Sequence, residues 1–245
     1  MNNILRKSLV LSFFELKIKN QNTYLGFFWY FLQPLFMFAI LFYVKTVVFE
    51  YHIEDFIPYL FIGVIMVHFF ISSTTLMMKS ITSNYDLLNA RKIEPEIFLL
   101  SKFFMSLWNH FFEALLVVII LLFFGYYHGV LYLFFIPIYA LFILGVGSIL
   151  CVLSTKVFDL TYVWNYFCQI LWFILPVYYV VNEFNFLIKY NPISYFIDAG
   201  RAIAFDLVKL DFKLFLICLF ISLSFYFVGM LIFNSQKEII SERIK

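Results

Sequence analysis

Charged residues are scarce in this chain. Asp, Glu, Lys and Arg make up 13% of its 245 residues, whereas apolar and aromatic residues make up 64%. A soluble domain of this length is closer to half apolar, and a chain with 36 Phe and 17 Tyr has more apolar surface than a water-soluble core can bury. The composition therefore excludes an ordinary soluble protein and predicts an integral membrane protein. The net charge of +2 is too small to indicate a nucleic-acid partner.

The sequence also lacks the motifs of common enzyme classes. Its eight glycines are scattered and no G-x-x-x-x-G-K-[ST] is present, so no phosphate-binding loop for ATP is predicted. H-E-x-x-H, G-x-S-x-G and Cys or His pairs at metal-site spacing do not occur. Cys151, Cys168 and Cys218 all lie in apolar runs, where a thiol behaves as a small hydrophobic group. We predict no enzyme activity, no metal and no cofactor bound by this chain.

Long apolar runs follow one another along the whole chain. A helix needs roughly 20 apolar residues to cross a bilayer. The runs therefore predict an all-α integral membrane protein, with six transmembrane helices in a single domain that covers residues 1–245. The predicted spans are residues 27–49, 57–78, 99–124, 131–154, 162–181 and 213–234.

The positions of Lys and Arg predict the orientation of these spans. Basic residues are concentrated before the first span, between the second and third, and after the sixth, whereas the first two outer loops contain none. Cytoplasmic loops carry an excess of Lys and Arg, so both termini are predicted to be cytoplasmic. The connection between the fifth and sixth spans is the one predicted outer loop that contains basic residues, namely Lys189, Arg201 and Lys209.

Residues 1–22 are predicted to form an interfacial helix. On a helical projection they carry two nearly opposite apolar ridges, one containing Leu5 and Phe13 and the other Phe14 and Ile18. A helix with lipid on one side and protein on the other uses both ridges, and Arg6 and other basic residues then reach the headgroups. A loosely anchored tail is the alternative.

The connection between the second and third spans, "KSITSNYDLLNARKIEPEIFLLSK", is long for a loop that only joins two antiparallel helices. Ser83 or Asn84 can cap a short helix that runs to Lys92, and Asp86 suits its first turn. Pro95 lets a new helix begin just beyond it.

Two leucines in this short helix indicate that it docks on another surface. Leu87 and Leu88 would lie in water unless a partner protein or the membrane surface covered them. We therefore expect a docking element on the cytoplasmic side. An interfacial elbow without a partner is the alternative.

The outer segment "VNEFNFLIKYNPISYFIDAGRAIAFDLVKLDF" is too polar to span and too apolar for a free loop. Asn191 and Pro192 divide it into two short helical pieces. Asp198 and Arg201 stand three residues apart in the second piece and are expected to form a local ion pair. Two apolar half-helices at the outer rim predict a re-entrant lid.

Three ionisable residues lie inside predicted spans, where such groups are costly and usually face a bundle interior or water. His110 and Glu113 are one turn apart in the third span, and His68 stands alone near the middle of the second. A structural pair that holds helices together is the favoured interpretation. A proton relay, which would make the protein an ion-coupled carrier, is the alternative.

Several segments resemble those of one family, the polysaccharide-export ABC transporter permeases, which export O-antigen, teichoic acid and related lipid-linked glycans. "YLGFFWYFLQPLFMF" resembles their first span, and "SNYDLLNARKIEPEIFLLS" resembles their coupling segment. "FDLTYVWNYFCQILWFILPVYY" followed by "YNPISYFIDAGRAIAF" resembles their fifth span and outer gate. The resemblance covers nearly the whole chain in order. It departs from the family where Phe158 replaces the arginine that commonly precedes the aspartate, here Asp159, and in Glu113, which lies outside the family pattern.

The resemblance implies a homodimer in the bacterial cytoplasmic membrane with two copies of a separate ATPase that binds ATP and Mg²⁺. The coupling helix would dock on that ATPase through Asn84, Asp86, Leu87, Leu88, Arg91 and Pro95. The outer gate would contain Asn191, Pro192, Tyr195, Asp198 and Arg201.

Aromatic faces can stack on sugars while allowing them to slide, and the candidates for lining the channel are Tyr30, Tyr43, Trp172, Tyr178 and Tyr179. A small-molecule or drug exporter, and a membrane enzyme acting on a lipid-linked sugar, are alternatives.

Overall fold

The computed structural model describes residues 2–21, 24, 26–48, 56–85, 87–88, 93–157, 159–179, 190–204 and 212–242. Within these residues the regular structure is helical and contains no strand. The α-helices with described bounds are α1 (Asn2–Gln21), α2 (Trp29–Val48), α3 (Phe56–Met78), α4 (Pro95–Phe123), α5 (Tyr132–Ser154), α6 (Leu160–Ile174), α7 (Pro192–Ala204) and α8 (Phe212–Glu242). Short 3₁₀ helices occupy Gly26–Phe28, Thr82–Asn84 and Tyr127–Leu131.

Four helical segments in the described part of the chain are long and apolar enough to cross a membrane. They are Phe56–Met78, Pro95–Phe123, Tyr127–Ser154 and Phe212–Lys237. These segments coincide with the predicted second, third, fourth and sixth spans. The predicted first span coincides with α2, within which Phe31–Val44 is a shorter apolar helix.

The predicted fifth span, 162–181, is wrong at its outer end. Helix α6 has 15 residues and ends at Ile174. Leu175 has φ −75° and ψ 145° because Pro176 follows it, and the ring of a proline disfavours helical geometry in the preceding residue. The chain continues through Tyr179 without regular structure, and we call residues 175–179 the outer strap.

Helix α4 begins at Pro95, four residues before the predicted third span. Pro95 occupies its first turn, and Glu94, with φ −63° and ψ 129°, stands just before the helix. Proline suits this position because its fixed φ is already helical and the missing N–H would have no partner within the helix. The predicted role of Pro95 as a helix start is confirmed.

Helix α3 lies at the centre of the bundle and packs against α2, α4, α5, α6 and α7. Its residues from Leu60 to Val67 are all buried. The Tyr139 hydroxyl of α5 donates a hydrogen bond of 3.1 Å to the Met66 carbonyl, and the Ser154 hydroxyl donates one of 2.6 Å to the Met78 carbonyl. Side chains of α5 therefore hold α3 near its middle and at its end.

Helices α5 and α8 approach each other closely at two glycines. A Cβ atom on Gly145 would overlap the backbone of Phe225, and one on Gly229 would overlap the backbone of Gly145. The Ser222 hydroxyl, on the same face of α8, donates a hydrogen bond of 2.8 Å to the Ile138 carbonyl. Small residues at the crossing allow this backbone contact, as is common between membrane helices.

The predicted helix at the N-terminus is present as α1, which packs along α4. Lys102 of α4 places Nζ 2.8 Å from Oε1 of Glu15. Desolvation, and then repulsion from Lys102, lower the pKa of Lys19. Leu5, Phe13, Phe14 and Ile18 of the two predicted ridges are exposed. Leu11, which belongs to the second ridge, is partly buried against the core. The helix therefore packs one face against α4 and exposes most of the first ridge and part of the second.

Candidate transport pathway and coupling segment

The predicted coupling segment starts as a continuation of α3. The Ser83 hydroxyl donates a hydrogen bond of 2.6 Å to the Lys79 carbonyl, and the Asn84 amide donates one of 2.8 Å to the Ser80 carbonyl. These described bonds close the end of α3, whereas the predicted cap would accept bonds from the turn that follows. The turn that follows includes residue 86, which lies outside the described residues, so the predicted cap stays a prediction.

The two leucines of this segment differ in environment. Leu87 is 47% exposed, whereas Leu88 is 6% exposed and belongs to the hydrophobic core. The expectation that both need an external partner is wrong for Leu88, because its own chain covers it. Tyr85, two residues before Leu87, is also exposed and was not identified from the sequence. The predicted coupling residues Asp86 and Arg91 lie outside the described residues.

His68, Glu113 and His110 form one cluster between α3 and α4. Nδ1 of His68 lies 2.9 Å from Oε1 of Glu113, a distance at which a protonated histidine pairs with a carboxylate. Nδ1 of His110 lies 3.3 Å from Oε2 of the same carboxylate. The side chain of Glu113 is 2% exposed and that of His68 is 18% exposed. The sequence identified the pair within α4 but wrongly left His68 alone.

The ring of His110 is held by packing as well. It stacks on the Phe69 ring with centroids 3.8 Å apart and an interplanar angle of 5°. Its Nε2 is buried without a hydrogen-bond partner among the described residues. In that part of the chain no group of three or more His, Cys, Asp or Glu residues is arranged to hold a metal ion. The closed, stacked arrangement suits a structural link between α3 and α4.

The predicted start of the second outer half-helix is confirmed. Oδ1 of Asn191 accepts a hydrogen bond of 3.0 Å from the Ile193 amide, and the Asn191 carbonyl accepts one of 3.1 Å from the Ser194 amide. Pro192 is the first residue of α7. The first predicted half-helix, in residues 181–189, lies outside the described residues.

Helix α7 is packed into the bundle. It contacts α3, α5, α8 and the 3₁₀ helix Tyr127–Leu131. Phe196 is fully buried and stacks on Phe142 with centroids 4.8 Å apart. Tyr195 is partly buried, and its carbonyl oxygen lies 3.5 Å from Sγ of Cys218. Any movement of α7 must therefore involve its neighbours.

Arg201 joins α7 to the outer strap and to α3. Its guanidinium donates hydrogen bonds of 2.7 Å to the Pro176 carbonyl and 2.9 Å to the Val177 carbonyl. It also donates bonds of 3.2 and 3.3 Å to the Tyr59 carbonyl. A Cβ atom on Gly63 would come within 2.7 Å of Nη2, so glycine leaves room for the guanidinium. We call this arrangement the Arg201 clamp.

The predicted ion pair between Asp198 and Arg201 is weak. The closest atoms are 4.0 Å apart, and the side chain of Asp198 is 54% exposed whereas that of Arg201 is 4% exposed. Spacing along the helix predicted this pairing, but Arg201 turns inward to the carbonyl oxygens. These oxygens, two of which lie just beyond the end of α6, supply the negative partial charge that a buried cation requires.

The predicted channel-lining aromatics fall in different environments. Tyr43 is exposed on α2, whereas Trp172 and Tyr178 are partly buried and pack against the core. The Tyr179 hydroxyl donates hydrogen bonds of 2.7 Å to the Ile174 carbonyl and 3.1 Å to the Phe173 carbonyl, which close the end of α6. The side chain of Tyr30 is outside the described part of the chain.

Helix α6 exposes a stripe of polar and aromatic side chains. Trp164, Cys168 and Leu171 are its buried face, and α6 packs against α3 and α5. One strip of the exposed surface, which we call the α6 stripe, contains Tyr162, Asn165, Tyr166, Gln169 and Phe173. Val163, Phe167 and Ile170 are exposed beside it. Sequence reasoning missed all five residues of the stripe, although the polar residues at helical spacing inside an apolar run are a usable signal.

Helix α2 has a comparable exposed row. Trp29, Gln33, Phe36, Ile40 and Tyr43 follow one another at helical spacing and are all exposed. By contrast, the row along the middle of α8 is entirely apolar and includes Leu216, Phe220, Leu223, Phe227 and Leu231. Helix α8 therefore presents a surface suited to lipid, whereas α2 and α6 present amides and hydroxyls.

Comparison with known proteins is consistent with this arrangement of apolar helices. A model of the ABC-2 type transporter family matches residues 9–205, which is more than half of the chain. No curated protein matches the sequence. The chain belongs to the ABC-2 type transporter family, whose members are the membrane permease subunits of ABC exporters and work with a partner ATPase subunit.

Proposed function

We propose that this chain exports a lipid-linked polysaccharide, such as O-antigen, across the bacterial cytoplasmic membrane. It does so as a homodimer with two copies of a separate ATPase, and both of its termini are cytoplasmic. The observation that carries the proposal is the α6 stripe, in which Tyr162 and Tyr166 are 68% and 67% exposed.

The α6 stripe is poorly suited to lipid. The amides of Asn165 and Gln169 are exposed on a helix that is otherwise apolar. A polar group in hydrocarbon costs free energy unless it finds a hydrogen-bond partner, so such groups face a pathway or another subunit. The apolar row of α8 shows that this chain can supply a lipid-facing surface without any amide.

The chemistry of the stripe suits a sugar polymer. Tyrosine combines an apolar ring face with a hydroxyl, and amides both donate and accept hydrogen bonds. Ring faces can stack on the apolar faces of sugars, and amides can exchange hydrogen bonds with sugar hydroxyls. A pathway for a small apolar drug would not need this density of hydrogen-bonding groups.

A homodimer accounts for the exposed row of α2 as well. Gln33 and Tyr43 are exposed on α2, and both α2 and α6 pack on α3. In a dimer that brings these faces together, the two rows from each subunit would enclose one polar channel. The Arg201 clamp and α7 would form its outer gate.

The coupling segment supplies the contact with the ATPase. Leu87 and Tyr85 are both exposed, whereas Leu88 anchors the segment in the core. An exposed apolar side chain on a rigid base suits a groove in a partner protein. ATP hydrolysis on the partner would thus be transmitted through the segment to α3 and α4, which flank it.

Export by the reconstituted complex tests the proposal. We expect the double variant Tyr162→Ala/Tyr166→Ala to export glycolipid about ten-fold more slowly, because each aromatic contact contributes about 0.5–1.5 kcal/mol. The matched control is Phe220→Ala/Phe227→Ala, which removes two exposed rings from α8 and should leave export unchanged. Equal export by the α6 variant and wild type, or equal losses in both variants, would refute the polysaccharide pathway.

A further inference from the structure

One face of α1 is closed by its contact with α4. Ser8 and Ser12 are buried, and their hydroxyls donate hydrogen bonds of 2.9 Å to the Ile4 carbonyl and 2.7 Å to the Leu9 carbonyl. Small side chains whose hydroxyls bond within the helix let α1 lie close to α4. The carboxylate of Glu15 is held by Lys102 at 2.8 Å. The single acidic residue of α1 is therefore already paired.

Another face of α1 forms an open groove of about 370 Å³. It is lined by Asn3, Arg6, Lys7, Val10, Leu11 and Phe14. The first three residues supply hydrogen-bond donors, two of them cationic, and the last three supply an apolar floor. We call this site the α1 groove.

We propose that the α1 groove binds an anionic phospholipid of the surrounding bilayer. Arg6 and Lys7 are exposed with no acidic residue among the groove-lining side chains, so their charge is complementary to a phosphate. Val10 and Phe14 are exposed next to these cations and need hydrocarbon to cover them. A phospholipid carries both groups in one molecule, whereas an acidic peptide would leave the apolar floor in contact with water.

The charge of α1 as a whole supports this ligand. The helix contains Arg6, Lys7, Lys17 and Lys19 against one carboxylate, Glu15, whose partner lies on α4. Basic residues near an anionic leaflet contribute about 1 kcal/mol each, and exposed apolar residues on the same helix add insertion into the interface. The groove therefore discriminates against zwitterionic lipid through its two cations. This inference does not depend on the identity of the cargo.

Lipid binding to the purified full-length chain tests the proposal. Native mass spectrometry would compare retained phosphatidylglycerol with retained phosphatidylcholine, without ATPase or cargo. We expect wild type to favour phosphatidylglycerol about ten-fold, and Arg6→Gln/Lys7→Gln to lose this preference. The matched control, Lys79→Gln/Lys156→Gln, removes two exposed basic residues elsewhere and should keep it.

A second variant separates the two parts of the groove. Val10→Ser/Phe14→Ser should weaken binding of both lipids and preserve the preference for the anionic one. The proposal is overturned if Arg6→Gln/Lys7→Gln keeps the preference, or if the control loses as much. It is also overturned if Arg6→Gln/Lys7→Gln reduces binding of a polyprenyl diphosphate but not of phosphatidylglycerol, because the groove would then serve the cargo. Export by the α6 variants is measured separately, so the two proposals can fail independently.

Discussion

The guanidinium carbon of Arg201 lies 3.4 Å from the centre of the Tyr59 ring, and the same guanidinium donates hydrogen bonds to the Tyr59 carbonyl. The Tyr59 hydroxyl in turn donates a hydrogen bond of 3.1 Å to the Tyr179 carbonyl. The beginning of α3, the outer strap and α7 are therefore joined through two side chains. This connection joins the three segments into a single packed unit.

Replacing the clamp residue should destabilise this unit. Arg201→Met would leave the carbonyl oxygens of Tyr59, Pro176 and Val177 without their donor, at a cost of more than about 2 kcal/mol in the free energy of unfolding. Arg201→Lys should cost less because an ammonium can satisfy part of the set. The thermal unfolding temperature of the purified chain measures both effects. Asp198→Asn is the control, since Asp198 is half exposed and 4.0 Å away, and a larger loss there would contradict the clamp.

The cluster of His68, His110 and Glu113 allows a test of whether transport is coupled to protons. Glu113→Gln keeps the shape of the side chain but removes the charge that His68 and His110 approach, so we expect a lower unfolding temperature. Export by the complex should be retained, because a structural link does not move protons. Glu15→Gln, in a more exposed pair with Lys102, should lower the unfolding temperature less. Loss of export in a well-folded Glu113→Gln protein would instead support an ion-coupled carrier.

The coupling segment can be tested with two neighbouring substitutions. Leu87→Glu should reduce binding of the ATPase and leave the unfolding temperature of the isolated chain unchanged, because Leu87 is exposed. Leu88→Glu should lower the unfolding temperature itself, since it would bury a charge in the core. Co-purification with the ATPase and thermal unfolding distinguish the two effects. Normal ATPase binding by Leu87→Glu would exclude this leucine from the docking contact.

The crossing of α5 and α8 predicts an unusual response to alanine. In an isolated helix, Gly→Ala is favourable by about 1 kcal/mol. Gly145→Ala should nevertheless destabilise the protein by about 1–3 kcal/mol, because its Cβ would overlap the backbone of Phe225 and force the helices apart. Thermal unfolding in detergent measures the change. An unchanged or higher unfolding temperature would show that the two helices can accommodate a Cβ atom at this crossing.

Features that depend on neighbouring residues in the chain were predictable. Pro95 and the Asn191–Pro192 pair begin helices as expected, because capping and proline geometry are local. The same local rules could have predicted the end of α6, because Pro176 disfavours helical geometry in the residue before it. Its effect was overlooked because the apolar run continues beyond the proline.

Features that depend on contacts between distant segments were not predictable. Spacing along one helix paired Asp198 with Arg201, yet the guanidinium found carbonyl oxygens from α3 and the outer strap. Similarly, two adjacent leucines looked equivalent, but only Leu88 meets the core. A single sequence carries no direct signal for which faces of separate helices meet.

By itself the sequence determined that this is a helical membrane protein, and where most of its apolar helices lie. Hydrocarbon imposes that outcome, because backbone polar groups must bond within each helix and the side chains must be apolar over the thickness of the membrane. Only the tertiary structure decided that His68 meets Glu113, that Arg201 closes over Tyr59, and that the α6 stripe remains exposed. Those relationships arise from how helices far apart in the chain pack against α3, and packing depends on the shapes of all the surfaces together.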